Sequence, residues 1–538
     1  MFNQSYAGLG WLDWSTIGLY FIAVFAIAGW AGRRGKARGA AADYFLAGRN
    51  TGWFVVGASL FASNIGSEHL VGLAGSGAAG GIAVAQFEIL AALILLLLGW
   101  VFVPFYLRTG VFTMPEFLER RYSPAARWYL AAVSIAGYVL TKISVTIAAG
   151  GIVFQALMGL DFWSGALIVV VATGIYTVYG GLRAVLYTDL MQLFVLLAGA
   201  VLVTVFGLIE VGGFDALAAA AGSERMALWK PLGDPDFPWT GIIFGAPILG
   251  VWYWCTDQYI VQRVLAAKDL TAARRGTLFA GFLKLTPLFI FVIPGVIAYV
   301  LAESGRLALG EADQALPALV THLLPAGLRG IVVAGLLAAL MSSLSSVFNS
   351  CSTLITFDLY RKLHPEASEK RLIAVGQWST ALLVVLGLLW IPLMKLISGQ
   401  LYQYLQSVQA YIAPPIAAVF LIGVASRRVN AQGALAALLG GGALGIARLI
   451  AELNKSALDG VLYRFAAMNF LHFAALLFAA CALILVIVSL ATRRPPAAAE
   501  ALVFGSAGRA AHDRDFWLDV MLSALLAVAV AVLWINFS

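Results

Sequence analysis

The sequence predicts an all-α integral membrane protein of about fourteen transmembrane helices. Three observations carry that expectation. Hydrophobic residues fill 62% of the 538 positions and charged residues only 11%, against roughly 25% charged in soluble domains. Apolar runs of about 20 residues, long enough to cross a bilayer, recur along the whole chain. Basic residues collect in every second loop between those runs, as cytoplasmic loops do.

The first run, 14–32, is followed by Arg33, Arg34, Lys36, Arg38 and Arg49. Its N-terminal flank has no basic residue, so it reads as a retained helix rather than a cleaved signal. Region 1–52 is thus an extra helix and an inner loop. Runs 53–80, 82–106, 126–158, 162–180 and 185–209 come next, with Arg108, Arg120, Arg121 and Arg127, then Arg183, in alternate loops. The long loop 211–237 is acidic (Asp215, Glu224, Asp234, Asp236) and is expected outside. Runs 238–262, 276–302, 329–357, 372–396 and 401–424 form a second set. Lys268, Arg274 and Arg275 mark its inner side, as do Arg361, Lys362, Lys370 and Arg371, and then Arg427 and Arg428. Runs 430–451, 467–492 and 516–536 make up an additional C-terminal region, 425–538, with a polar inner linker at 493–514. The alternation places both termini on the extracytoplasmic side. The net charge of +7 follows from these helix-end residues and calls for no nucleic acid.

Two runs are interrupted. In 53–80, Gly66, Gly72, Gly75, Gly77, Gly80 and Gly81 accompany Asn64, Ser67, Glu68 and His69. In 238–262, Gly245, Pro247 and Gly250 accompany Asp257. Irregular backbone at membrane depth is tolerated only beside protein or a watery cavity. The two runs start five spans apart, so the second copy crosses the membrane the opposite way. Inverted repeats at 53–210 and 238–424 follow, with a binding site between the broken helices, as in secondary transporters. No G-x-x-x-x-G-K-[ST] occurs, so an ATP-driven motor is not expected. The three cysteines and the histidines form no metal-ligand spacing.

Ionisable residues inside a membrane are costly and mark function. They are Glu68, His69, Glu88, Lys142, Asp189, Asp257, Arg263 and Lys284. Arg263 lies near an inner end and is read as snorkelling or as an ion pair with Asp257. Glu88 and Lys284 have no ionic partner nearby in sequence. With His69 and Gln406 they would offer donors and acceptors to a neutral polyhydroxyl ligand, and Tyr253 or Trp254 would cover its apolar face. Ala339, Ser342, Ser343 and Ser346 share one helical face. Such hydroxyls bond back to the preceding turn or bind a hard cation together with carbonyls freed near Ala62 and Ile65. Asp189 could add a charged ligand.

The motifs DYFLAGR (43–49), GASLFASNIGSEHLVGLAGSGAA (57–79), TMPEFLERRY (113–122), YGGLRAVLYTDLMQ (179–192), WYWCTDQYIVQR (252–263), MSSLSSVFNS (341–350) and YLQS (404–407) resemble the sodium/solute symporter family, in its sodium/glucose cotransporter branch, over roughly 10–490. The resemblance implies a LeuT-type core of five plus five inverted helices with flanking helices. It implies sugar contacts at Asn64, His69, Glu88, Lys284 and Gln406, and an aromatic inner gate at Tyr253 beside Trp254. Leu73, Phe87 and Tyr402 match an outer gate. Carbonyls of Ala62, Ile65 and Ala339 with the hydroxyls of Ser342 and Ser343 match the main sodium site. Asp189, Ser342, Ser345 and Ser346 match a second one. Gly250 and Ala91 stand where a bacterial galactose carrier has asparagine and serine. Glu68 stands where animal glucose carriers have glycine, and Lys142 where a sialic acid carrier has a cation. The expected activity is sodium-coupled import of a neutral hexose, glucose ahead of galactose, through the plasma membrane. The alternatives are a myo-inositol, polyol or anionic-sugar carrier, or a sugar sensor that moves nothing. An enzyme is not expected.

Overall fold

Within hydrocarbon, a helix is the one local structure that satisfies all the backbone groups of a single segment. The computed structural model describes residues 9–36, 41–394, 401–500, 502–503 and 514–538. Among these the fold is helical, and β pairing is limited to the isolated bridges Thr51–Ala267 and Lys230–Pro238. The main helices are α1 (Trp11–Lys36), α2 (Trp53–Asn64), α3 (Ser67–Gly80), α4 (Ile82–Thr109), α5 (Pro124–Met158), α6 (Phe162–Val211), α7 (Ala246–Val251), α8 (Gln258–Leu265), α9 (Leu270–Glu303) and α10 (Leu328–Leu363). They are followed by α11 (Glu369–Met394), α12 (Leu401–Ala425), α13 (Ala431–Leu453), α14 (Phe470–Ala491) and α15 (Arg514–Asn536). Arg38, positions 395–396 of the tenth expected run and most of the tail 493–514 beyond residue 503 lie outside the described residues.

Ten helices among the described residues are long and apolar enough to cross a bilayer, against the fourteen expected. Four spans make the difference: 53–80 and 238–262 are interrupted, 372–396 is not among the ten, and 162–180 and 185–209 are counted together across a kink. Runs 162–180 and 185–209 are two helices that meet at that kink at Gly181, where φ is 57° and ψ −158°. A side chain there would be strained by that φ and would collide with the Tyr44 carbonyl, 2.5 Å away. Runs 53–80 and 238–262 are cut into pieces too short to span alone.

Each cut has a backbone cause. Between α2 and α3, Ile65 (φ −79°, ψ 92°) and Gly66 (φ −92°, ψ 179°) are extended. Between α7 and α8, a wide turn over Trp252–Thr256 ends at extended Asp257, whose carboxylate accepts from Tyr259 N at 3.2 Å and caps α8. In α9, Pro287 has no N–H for Leu283 O; Thr286 Oγ1 donates to that carbonyl at 2.7 Å. Lys284 therefore sits at an interrupted turn.

Glycines draw the helices together. A Cβ on Gly57 would lie 2.6 Å from Gly276 O, and one on Gly276 2.7 Å from Val56, so α2 and α9 touch backbone to backbone. Likewise α3 meets the second half of α9, where a Cβ on Gly295 would lie 2.0 Å from Ala74 O. Helix α10 is buried along nearly its whole length between α6, α1 and α11. That burial explains why its serines must find partners within protein.

Candidate functional site

The three interruptions meet at the centre of the molecule. Asn64, the last residue of α2, donates from Nδ2 to the Tyr253 hydroxyl at 2.9 Å. The Lys284 ammonium donates both to Asn64 Oδ1 and to Glu88 Oε2. It also lies 5.2 Å from the Trp254 ring centroid. Glu88 and Lys284, which have no ionic neighbour in sequence, are thus each other's partner across the fold.

A second buried pair lies beside the first. Lys142 Nζ is 3.0 Å from Glu68 Oε1, and Thr146 Oγ1 donates to Glu68 Oε2 at 2.9 Å. Between the pairs stands His69. Gly66 N donates to its Nδ1 at 3.4 Å, and its Nε2 is 3.9 Å from Glu88 Oε1, too long for a hydrogen bond. The Nε2 edge therefore remains available to a ligand.

These groups border a cavity of about 510 Å³ of empty space, part of it open to solvent. Asn64, His69, Glu88, Tyr253, Trp254 and Gln406 line it, together with Phe87, Tyr402, Lys142 and Gln409. Its floor includes Gly250 and Ala91, whose small size leaves room; a Cβ on Gly250 would strike Ile94 at 2.1 Å. Two expected positions do not line it. Lys284 is fully buried behind Asn64 and Glu88, and Leu73 is fully buried in α3. Towards loop 211–237 an aromatic layer covers the cavity. Phe87 packs on Tyr402, Phe237 and Phe470 at 6.1, 5.9 and 6.4 Å, and His69 meets Tyr402 edge-on at 5.5 Å. On the other side, a smaller cavity is lined by Ser134, Tyr138, Thr141, Trp252 and Asp257. Lys142, Tyr253 and Gln409 border both spaces, so these three residues form the partition.

The break also liberates oxygens. Gly66 N, the helical partner of Ala62 O, donates instead to Asn64 O at 3.1 Å; His69 N, the partner of Ile65 O, donates to Gly66 O at 3.0 Å. Nearby, Ser343 Oγ donates to Ser63 O at 3.1 Å, and Ser342 Oγ donates to Asp189 Oδ1 at 2.6 Å. Asp189 Oδ2 accepts from Ser59 at 2.6 Å and Ser63 at 2.9 Å. Ser346 Oγ donates to Ser63 Oγ at 2.9 Å. The structure thus brings Asp189, Ser342, Ser343 and Ser346 around Ser63, while Ser345 bonds back to Ser342 O at 3.0 Å.

Ser59 and Ser63 were missed by sequence reasoning. Their i, i+4 spacing on an apolar helix was the available signal. Arg263 does not snorkel. It is fully buried, with Nε 3.1 Å from Ser63 Oγ and a guanidinium bond to Tyr259 O. Nor is it ion-paired with Asp257 among the described residues; Asp257 is occupied as a helix cap. The oxygens of this set, hydroxyls and one carboxylate, are of the kind a hard cation takes, with the Arg263 guanidinium at its Ser63 edge.

The profile of the sodium:solute symporter family matches residues 44–441. The chain is 40% identical over 529 residues to Sodium/glucose cotransporter 1 of Oryctolagus cuniculus, covering 90% of this chain and 79% of that one. It is 41% identical over 514 residues to Sodium/glucose cotransporter 2 of Rattus norvegicus, covering 87% and 76%. A solved Na+-coupled sialic acid symporter, 21% identical, superposes with a TM-score of 0.78 over 90% of this chain and 99% of its own. At that identity the likeness shows the fold, the LeuT-type inverted repeat.

Proposed function

The chain belongs to the sodium:solute symporter family, and on that premise we propose that it imports a neutral hexose, glucose ahead of galactose, by alternating access. It is a multi-pass membrane protein whose coupling ion is sodium. One observation carries the substrate reading: the charges around the cavity cancel in pairs, Glu88 with Lys284 and Glu68 with Lys142. A charged ligand would leave an uncompensated charge in a low-dielectric space, whereas a sugar's hydroxyls can both donate and accept. The pairing of Lys142 also counts against an anionic sugar. The relatives named as sodium/glucose cotransporters support the same reading.

In this mechanism Asn64, His69, Glu88 and Gln406 hold the sugar hydroxyls. Lys284 orients Asn64 and Glu88, and Tyr253 and Trp254 cover the apolar ring face. Sodium takes the carbonyls of Ala62, Ile65 and Ala339 with the hydroxyls of Ser342 and Ser343. Asp189, Ser345 and Ser346 serve a second ion. Binding between α2 and α10 steadies the break that carries Asn64 and so raises sugar affinity; sugar must raise sodium affinity by the same factor. Leu73, Phe87 and Tyr402 close the outer side and Tyr253 opens the inner one, as repeat 53–210 rocks against 238–424. Both termini lie outside the cytoplasm.

Uptake of labelled glucose into proteoliposomes tests this. An inward sodium gradient should drive accumulation that potassium does not, and Gln406→Ala and Ser343→Ala should abolish it. Equal uptake in both salts would overturn the coupling. Failure with glucose but success with myo-inositol or sialic acid would overturn the sugar.

A further inference from the structure

Helix α15 lies outside both repeats, yet it is fastened at four levels to the two helices that carry Glu88 and Lys284. Near its start, Asp519 is almost fully buried, 2.9 Å from Arg275 Nε and 3.6 Å from Arg274 on α9, while Asp515 is 2.6 Å from Arg275. Just beyond, Trp100 of α4 donates to Ser523 Oγ at 2.9 Å. At mid-depth, Leu526 is fully buried in a notch between α4 and α9. A Cβ on Gly281 would lie 2.6 Å from the Leu526 methyl and 3.5 Å from Ala92 O. Near its end, Trp534 Nε1 donates to Gln86 Oε1 at 2.8 Å, and Phe537 O accepts from Leu228 N at 2.8 Å.

The spacing of these contacts is informative. Gln86 precedes Glu88 by two residues, and Gly281 precedes Lys284 by three. Leu526 therefore braces both helices on one side of the Glu88–Lys284 pair, and Trp534 holds α4 on the other. Facing residues of α15 such as Leu525 and Val528 point outward, 55% and 58% exposed. They provide a built-in control on the same helix.

We propose that α15 is a positioning strut: Leu526, wedged between α4 and α9, sets their separation, Trp534 fixes the start of α4 through Gln86, and together they place Glu88 and Asn64 on the substrate. Neither residue touches the cavity, so they are positioning residues. The inference rests on the sugar reading above. A wedge that fixes a distance acts on the geometry of a hydrogen-bonded site, where displacements on the order of 1 Å weaken binding sharply.

The test is sodium-driven glucose uptake in proteoliposomes by the full chain. Robust uptake by the unaltered protein establishes the underlying reading independently. Leu526→Ala should then raise KM for glucose about five- to tenfold. Maximal rate and sodium half-saturation at saturating sugar should stay within about twofold. Leu526→Met, which refills the notch, should restore KM, and Leu525→Ala should leave all three constants unchanged. Trp534→Phe keeps the ring but loses the bond to Gln86. It should raise KM in the same selective way and serves if Leu526→Ala does not fold. An unchanged KM in both variants, or a parallel loss of rate and sodium affinity, overturns the proposal.

Discussion

Lys284 is fully buried behind Glu88, which borders the cavity, and each is held by the other. Glu88→Gln leaves a buried ammonium with amide oxygens but no countercharge, an arrangement that costs about 3–5 kcal/mol. Thermal unfolding of the purified protein should show that loss. The double variant Glu88→Gln with Lys284→Met should recover most of the stability while uptake stays absent. Recovery of uptake would mean that the pair is only structural. A second expectation belongs to Asp189, which gathers three serine hydroxyls. Asp189→Asn should weaken sodium half-saturation several-fold and leave glucose KM at saturating sodium nearly unchanged; an unchanged sodium dependence would remove Asp189 from the cation site. The candidates themselves were legible in the sequence because charged groups in hydrocarbon are rare. Their partners were not. Lys284 is 196 residues from Glu88, and Lys142 is 74 residues from its partner Glu68. Arg263 was misread because distance from a helix end says nothing about which protein surface covers the side chain.

At the scale of elements, the breaks were legible because glycine and polar residues crowd where an apolar helix should continue. The number of spans was not. Gly181 separates runs 162–180 and 185–209 as expected, but a sequence window cannot tell that the broken runs 53–80 and 238–262 leave only pieces too short to span alone. The same glycines make a testable point about packing. At Gly295 the obstruction is the carbonyl of Ala74, which cannot rotate away as a side chain would. Gly295→Ala must therefore push α3 from α9, and overpacking of this kind costs about 1–3 kcal/mol. The variant should melt lower than the parent by that amount. Gly18→Ala, where nothing lies within 4 Å, should melt normally. Equal melting of the two would mean that the helices part freely at this crossing.

For the whole molecule, the face bearing the basic loops is tied by a charge network that can be titrated. Glu119 accepts from Lys362 at 2.6 Å and from Arg127 at 2.5 Å. Partial burial favours the protonated acid, but those two bonds outweigh it and hold the Glu119 carboxyl below its ordinary value. A carboxylate lowered on folding stabilises the fold above its unfolded value and loses that contribution as pH falls through the lower, folded one. Acidification from neutral pH should therefore lower the melting temperature in the acidic carboxylate range. Glu119→Gln should flatten that part of the curve, and an identical curve would assign the acid sensitivity elsewhere.

Sodium should act on the same melting temperature from the other side of the balance. An ion that binds only the folded state at about 100 times its dissociation constant adds about 2.7 kcal/mol. Melting should rise with sodium and not with potassium, and Ser343→Ala should erase the difference.

The bond between Asn64 and Tyr253 has one more implication. One N–H of that amide is held by the tyrosine in the partition between the two cavities, and an amide nitrogen carries two such donors. If the proposed sugar engages the second, recognition and partition share a single side chain, and any shift of the amide toward the sugar is felt at the tyrosine.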